Sequence, residues 1–456
     1  MDKARAWQEL LKQPAASLQE ILDAKERRVE KQRELLQNGK SLICFTLNIP
    51  GAIKCAPLFE RGFMKGKDLI LQQLHWQNCE ILQQDELRSA AGYELFLLCN
   101  EDALTVKKWM IPIETDRPIG RLMDIDVLNS EGIKISRADI GMEPRKCLLC
   151  DNIAAACSRS RAHSYEELLQ ETVRILADTF TEEFLDKTAA NAARALLYEV
   201  ATTPKPGLVD RSNSGSHKDM DIFTFIDSTA VLTPYFRRFA EKGMEFSTMA
   251  PSEVLQHLRY PGRCAEAAML EMTKGVNSHK GIVFSMGVIC TAMGMLYGQG
   301  KALIADEILD LSGEICSSLM DDFKQMKEPH SYGEKLYAEH GISGIRGEAS
   351  QGYPSVRNVG LPAMRKYLNQ GMSLNDAGAW TLLELLSATE DSNIITRSDV
   401  TTLRSVQQQV REVLNKNDRS EELLNELDRE FIAKNISPGG CADLLALTYF
   451  LYFTEQ

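Results

Sequence analysis

The feature that most restricts the fold is a change of period at Tyr165. Before it, short apolar, β-prone runs alternate with turns; after it, apolar residues recur at helical spacing almost to Gln456. A chain of 456 residues that switches in this way is too long for one ordinary core. The pattern predicts an N-terminal α+β domain with a mixed sheet at 1–165, a helical linker at 166–177, and a C-terminal all-α helical domain at 178–456.

In the first part, strands are expected at Ser41–Ile49, Tyr93–Cys99, Val106–Ile113, Gly120–Val127 and Ile133–Ser136, with a helix near Lys67–Trp76. A charged amphipathic helix at Leu18–Leu36 is expected to pack through Leu18, Ile21, Leu22 and Val29. In the second part, helices are expected at Glu166–Leu185, Thr188–Val200, Ile222–Glu241, Cys264–Lys274, Gly281–Tyr297, Ala302–Lys324, Asp376–Thr389, Val400–Lys416, Glu421–Lys434 and Ala442–Phe453. No internal repeat is evident, which disfavours a solenoid.

Charge and cysteine usage narrow the function classes. A formal net charge of −12 argues against wholesale binding of nucleic acid or an anionic membrane. Met1–Gln37 is rich in Lys, Arg, Glu and Gln and lacks the apolar centre of a secretory signal, so a cytoplasmic location is expected. Eleven dispersed cysteines then do not suggest a disulfide framework. Gly281–Gly300 carries no charge, but its glycines, Ser285, Thr291 and Gln299 suit a core helix better than a membrane span.

Within the α+β part, Asp124 and Asp126 alternate with Met123, Ile125 and Val127. On a strand the two acids share a face and the apolar residues point into a core. Hard carboxylate oxygens suit Mg²⁺, an ion usually shared with substrate phosphates, and Arg121 could add a cation for them. Two solvated acids on an edge strand are the alternative. Cys147, Cys150, Cys157 and His163 form a Cys₃His set suited to structural Zn²⁺, beside the basic residues Arg145, Arg159 and Arg161; reduced thiols next to a basic patch are the competing reading.

The polar signals of the helical part fall in loops next to helices, where backbone amides are free for anions. Lys205, Asp210, Arg211, His217, Asp219 and Asp221 occupy one; Asn277, His279 and Lys280 a second; Gly341–Glu348, with Arg346 and Glu348, a third. Ser437, Pro438, Gly439 and Gly440 open the last helix, with Asp443 expected in its first turn. Glycines for close approach, cations for phosphates and acids for metal or ribose hydroxyls fit a nucleoside triphosphate. Neither a Walker A loop nor a dinucleotide-binding glycine motif is present.

These residues carry a resemblance. The first part, with Leu47-Asn48-Ile49-Pro50-Gly51, Gly120-Arg121-Leu122, Asp124-Ile125-Asp126-Val127, Ser136-Arg137 and the Cys147 to His163 set, resembles the apo-citrate lyase phosphoribosyl-dephospho-CoA transferase family. The second, with Pro204-Lys205-Pro206-Gly207-Leu208-Val209-Asp210, Gly275-Val276-Asn277, His279-Lys280-Gly281, Gly344-Ile345-Arg346-Gly347-Glu348-Ala349, Asp391, Asn393 and Ser437-Pro438-Gly439-Gly440, is similar to triphosphoribosyl-dephospho-CoA synthase. Met123 departs from the aromatic residue expected there, and Ser216 from the expected Ala.

The resemblance implies a fused, bifunctional transferase whose first half is nucleotidyltransferase-like. The synthase half would join the ribose of ATP to the 2′-hydroxyl of dephospho-CoA and expel adenine, with Asp210, Asp219, Asp221 and Glu348 as candidate acid or base groups. Lys205, His279, Lys280 and Arg346 would hold the triphosphate, with His217, Asn277, Gly439, Gly440 and Asp443 in the same nucleotide site. The transferase half would move phosphoribosyl-dephospho-CoA to a serine of the citrate lyase acyl carrier subunit, releasing pyrophosphate. There Mg²⁺ would sit on Asp124 and Asp126, and Arg121, Arg137 and Lys54 would bind phosphates. A nucleotidyltransferase that modifies another protein and a non-catalytic nucleotide-binding scaffold are the rival readings.

Overall fold

Ser41–Leu47, an apolar run rich in β-formers, makes the central strand β1, and everything in the first part of the chain is arranged about it. The computed structural model describes residues 7, 9–321, 332–416 and 418–456. Its contacts separate the chain into two units, Met1–Glu183 and Phe184–Gln456.

In the first unit, β1 lies between β3 (Gly92–Cys99) and β4 (Met123–Asn129), and β2 (Ile81–Ser89) pairs with the outer side of β3. All three pairings are antiparallel, which corrects the mixed sheet expected: β2 and β3 form a hairpin, and β4 runs back along β1. One face carries Ile43, Phe45, Leu95, Leu97, Ile125 and Val127 into the main core, under helices Pro57–Trp76 and Ala103–Thr115 and the first turns of Tyr165–Ala201. Fully burying a large apolar side chain such as Phe45 contributes about 1.5–3 kcal/mol. The other face carries Leu42, Cys44, Phe96, Leu98 and Leu128, covered by Leu35 at the end of helix Leu18–Leu35.

That helix begins in a capping box between Ser17 and Glu20. Its expected contacts are corrected. Leu18 is 74% exposed, Leu22 and Val29 are also exposed, and Ala24 and Leu35 are buried instead. The helix descends along the polar end of the sheet, so it is held by Gln32 donating to Cys44 Sγ, Lys31 beside Asp85 and Arg28 beside Glu94.

Three further expectations change. Val106–Ile113 is not a strand but part of helix Ala103–Thr115, capped by Asp102, which accepts from Thr105 N at 3.0 Å; Val106, Lys107, Met110, Ile111 and Glu114 are buried at helical spacing. Gly120–Val127 divides into a 3₁₀ turn, Pro118–Leu122, and β4. Ile133–Ser136 forms no strand and contributes an isolated bridge between Leu128 and Lys134.

The second unit is built of helices, with no strand among the described residues. The two helices expected at Glu166–Leu185 and Thr188–Val200 are one, Tyr165–Ala201, started by a reciprocal cap between Ser164 and Glu167. Cys264–Lys274 belongs to the longer Pro251–Met272, and Ala302–Lys324 is represented by Ala305–Ile315, residues 322–324 lying outside the described ones. Gly344–Ser350, Leu361–Asn369 and Ser392–Arg397 are helices that periodicity did not signal.

Helix Lys280–Gly298 is the axis of this unit. It is long and apolar enough to cross a membrane, yet 83% of its most apolar window is buried inside the protein. It packs on Ile222–Glu245 so closely that a Cβ on Gly243 would stand 2.0 Å from Thr291 O, and one on Gly294 2.0 Å from Ala240 O. Helix Gly439–Thr454 lies against it, and its first turn faces the same end.

Candidate active sites

Strand register builds the first site. It aligns Glu94, Thr46 and Asp124 in one row across β3, β1 and β4, and Phe96, Cys44 and Asp126 in the next. Residues paired across a sheet project from the same face. Asp124 and Asp126 therefore stand together on the face opposite the main core, while Met123, Ile125 and Val127 are at most 1% exposed.

Arg28, Cys44, Thr46 and Glu94 line a small recess with the two aspartates, and Arg28 Nε donates to Glu94 Oε1 at 3.0 Å. Solvent reaches Asp124, but the crowding protein, followed by the charge of Asp126, raises its carboxyl above the ordinary range; Lys134, Arg145 and Arg28 pull the other way. Lys134 Nζ lies 2.5 Å from Asp126 Oδ1. Glu94 and Arg28 carried no motif signal: one is a single acid in an apolar strand, the other one of many cations on a charged helix.

Arg121 faces a different hollow, of about 510 Å³, lined also by Arg145, Lys146, Arg161 and His163. Arg145 joins this basic hollow to the aspartate strand, donating to the carbonyls of Met123 at 2.7 Å and Gly120 at 3.0 Å. Lys54 donates to Ile49 O in a recess shared with Arg28, Thr46 and Glu94, and burial lowers its pKa. Arg137 is paired with buried Glu114, with Nη2 2.5 Å from Oε2.

The ligating atoms of Cys147, Cys150, Cys157 and His163 all lie within 4.8 Å of one another, so the four could hold a metal ion. Cys150 Sγ is 3.5 Å from Cys157 Sγ and 3.3 Å from His163 Nε2. Burial works against the Cys147 thiolate, but the amides of Leu149 and Cys150 and the neighbouring thiols bring the group down to about 7.

The second unit encloses a polar cavity of about 600 Å³. Four helices begin at its wall: Lys280–Gly298, Gly344–Ser350, Ser392–Arg397 and Gly439–Thr454. Three of them, starting after His279, Ser343 and Pro438, have no side-chain cap from the residue before the helix. Asn277 Oδ1 accepts from Lys280 N and Asp391 Oδ2 from Cys441 N, and the remaining first-turn amides, with the helix dipoles, make that wall receptive to anions.

Lys205, His217, Asp219, Asn277, His279, Lys280, Glu348, Gly439, Gly440 and Asp443 all line the cavity, as the sequence suggested. Asp443 lies one turn further along its helix than expected, since Gly439 is the first helical residue. Other candidates are engaged elsewhere. Buried Asp210 accepts from the amides of Lys205, Ser212 and Asn213 and shapes the loop. Asp221 caps helix Ile222–Glu245, Arg211 bonds to Thr203 and Asn375, and Arg346 lines a neighbouring hollow.

Two further acids line the cavity. Glu199, in the last turn of Tyr165–Ala201, accepts from buried Lys205 Nζ. Asp391 ties two helix starts together, accepting from Asn393 N and Ile394 N through Oδ1 and from Cys441 N through Oδ2. Asp391 was noted within a motif; Glu199 gave no signal, because it sits in a helical run.

Burial raises Glu199, Glu348, Asp391 and Asp443, Asp443 well above its usual value with Glu199 and Asp391 adding to the effect. Glu348 accepts from Ser355 Oγ at 2.5 Å and from Ser355 N at 3.2 Å. His217 takes a donor from Arg397 on Nδ1 at 3.1 Å, so its Nε2 carries the proton toward Ser437 Oγ at 2.9 Å. His279 Nδ1 lies 2.7 Å from Ser228 Oγ, its Nε2 is buried with no hydrogen-bond partner among the described residues, and burial brings its pKa down to about 3.

Comparison with known proteins divides the chain at nearly the same place. Residues 16–179 match the family described as CitX, apo-citrate lyase phosphoribosyl-dephospho-CoA transferase, and residues 185–456 match CitG, ATP:dephospho-CoA triphosphoribosyl transferase. A "Protein CitXG" of Haemophilus influenzae is 33% identical over 450 residues, covering 95% of both chains; one of Leuconostoc mesenteroides subsp. cremoris is 32% identical over 457, covering 95% of this chain and 96% of its own. A 2-(5''-triphosphoribosyl)-3'-dephosphocoenzyme-A synthase of Pectobacterium atrosepticum is 39% identical over 261 residues, 57% of this chain and 86% of the relative.

Proposed function

Because the chain belongs to the fused CitX–CitG family and joins a triphosphoribosyl-dephospho-CoA synthase to a phosphoribosyl-dephospho-CoA transferase acting on apo-citrate lyase, we propose that the polar cavity performs the first reaction and the paired aspartates the second. The observation that carries the first assignment is the meeting of four helix starts with buried carboxylates in one cavity large enough for a nucleotide.

In the synthase reaction the triphosphate of ATP lies against those helix starts, with Lys280 and Arg397 beside it. Glu348 takes the proton from the 2′-hydroxyl of dephospho-CoA; the bond from that oxygen to ribose C1′ forms as the bond to adenine N9 breaks, adenine leaves with the electron pair and is protonated by water, and Glu348 returns its proton to water. The raised pKa of Glu348 supports this choice, since a base acts best when its pKa lies near the working pH. Positive charge developing at C1′ favours the ionised forms of Asp443 and Asp391 against the burial that raises them, and their carboxylates then stabilise it. Neutral His279 supplies a buried imidazole at the wall.

In the transferase reaction a serine of the acyl carrier subunit attacks the phosphorus nearest the ribose, its hydroxyl proton passing to water, and the bond from that phosphorus to the bridging oxygen breaks as pyrophosphate departs with the electron pair. Arg121, Arg145 and Arg161 hold the donor's phosphates. Asp124 and Asp126 fit a divalent cation, because burial and then the charge of Asp126 add to the cost of ionising Asp124, and a cation beside the pair relieves it. When bound there, Mg²⁺ offsets the charge that builds up on the departing pyrophosphate. The Cys₃His cluster fits structural Zn²⁺ by its donor set and by the closeness of its ligating atoms.

Mixing the protein with ATP, Mg²⁺ and dephospho-CoA should release adenine, and adding the apo carrier subunit should raise that subunit's mass by the phosphoribosyl-dephospho-CoA group. Asp126→Asn should abolish the mass change and leave adenine release in place. Loss of both together would contradict two separate sites.

A further inference from the structure

A second hollow, of about 560 Å³, shares Lys280, Gly281 and Ile345 with the polar cavity. Its character is different. Leu255, Leu258, Val283, Phe284 and Leu319 give it apolar walls, and Arg259 and Arg263 stand on one rim. Those two arginines are four residues apart on helix Pro251–Met272, so they are neighbours on one face about 6 Å apart. Both are exposed, and neither makes a hydrogen bond or ion pair among the described residues. Nothing lies within 4 Å of where a Cβ on Gly262 would stand, so the helix surface beside these arginines is open.

Unpaired cations beside an apolar trough describe a ligand with adjacent phosphates followed by an uncharged chain. We infer that this hollow receives the far end of dephospho-CoA, with Arg259 and Arg263 on its diphosphate and the pantetheine arm along the apolar walls. The inference rests on the polar cavity being the site of ribosyl transfer. An acceptor whose 2′-hydroxyl must reach a ribose in that cavity has to extend its 5′ side elsewhere, and the shared residues Lys280, Gly281 and Ile345 mark where it passes. Lys280 is paired with Glu266 at 2.5 Å and is assigned to the triphosphate, so Arg259 and Arg263, which carry no hydrogen bond or ion pair among the described residues, are left for the diphosphate.

The test uses the full-length protein and follows adenine release while ATP and dephospho-CoA are varied separately. Arg259→Gln with Arg263→Gln should raise the KM for dephospho-CoA about tenfold or more, the scale expected when charged contacts to a phosphate are lost, while the KM for ATP moves less than about twofold. AMP, which keeps the 2′-hydroxyl but lacks the second phosphate and the pantetheine arm, should be a poor acceptor for the unsubstituted protein. The preference for dephospho-CoA over AMP should shrink in the double variant. Gly262→Leu places a good helix former in a helix interior and fills the trough; it should produce the same split. A folded double variant or Gly262→Leu protein with an unchanged KM for dephospho-CoA would overturn the inference and leave the ribosyl-transfer reading standing. Failure of the unsubstituted protein to release adenine would remove that reading itself.

Discussion

Gly281 sits so close to Asp443 that a Cβ on it would stand 2.1 Å from Oδ2 of the carboxylate. The start of helix Lys280–Gly298 and the first turns of Gly439–Thr454 meet there, and only the missing side chain lets the acid reach the cavity wall. Gly281→Ala should therefore displace Asp443 and slow adenine release by about tenfold or more, a barrier rise on the order of 1.4 kcal/mol. Transfer to the carrier, started from purified triphosphoribosyl-dephospho-CoA, should proceed at its normal rate. Chromatographic measurement of adenine alongside carrier mass checks both; an unchanged adenine rate would argue that Asp443 takes no part.

Lys205 and Glu199 form an ion pair with side chains only 2% and 5% exposed. Removing one partner strands the other charge in a poorly solvated place. Lys205→Met alone should destabilise the second unit by about 3–5 kcal/mol in urea unfolding, and adding Glu199→Gln should recover much of that loss. A double variant no more stable than the single one would show that the charges are not mutually dependent.

Burial holds His279 at about 3 in the folded protein, against an ordinary value of 6.5. The unfolded chain then binds a proton that the folded chain refuses. The stability this group confers is complete above pH 6.5 and is lost as pH falls toward 3. His279→Gln should accordingly show a shallower fall in urea midpoint than the unsubstituted protein between those limits. His217 is lowered in the same direction and should remain as a residual slope.

Metal analysis of purified protein should find about one zinc per chain, as a closed Cys₃His site requires. Cys150→Ser should lower zinc retention after dialysis against a chelator. The carrier-transfer rate should fall with it, because Arg145, two residues before Cys147, anchors the carbonyls of Gly120, Arg121 and Met123 at the entrance to β4. Adenine release should not change. Zinc absent from freshly prepared protein would overturn the assignment.

Loops with glycines, cations and acids announced the polar cavity, because helix starts that bind anions need those residue types near the backbone. What escaped were contributions from helix interiors and strand faces. Glu199 lies in a run indistinguishable from a solvated helix face, and Glu94 in an apolar strand; each becomes visible only when register or packing supplies its partner. The stretch from Val106 to Ile113 reads as a strand by its β-branched residues, but the Asp102 cap and burial at helical spacing override that preference. β2 was missed for the opposite reason: Gln83, Gln84 and Asp85 on an outer strand have little apolar alternation to show. Asp210 and Asp221 show another side of the same loops, since acids there also serve capping and turn formation, which a motif does not reveal.

The unbroken helix Tyr165–Ala201 serves two interiors in succession. Leu169, Val173, Leu176 and Phe180 belong to one, and Phe184, Leu185, Ala192 and Leu196 to the other. Between them Thr181, Glu182 and Glu183 contribute no buried side chain. The polypeptide is therefore divisible at this point: severing it there would bare a few amides and carbonyls that water can satisfy, and would leave both hydrophobic centres with their full complement of side chains.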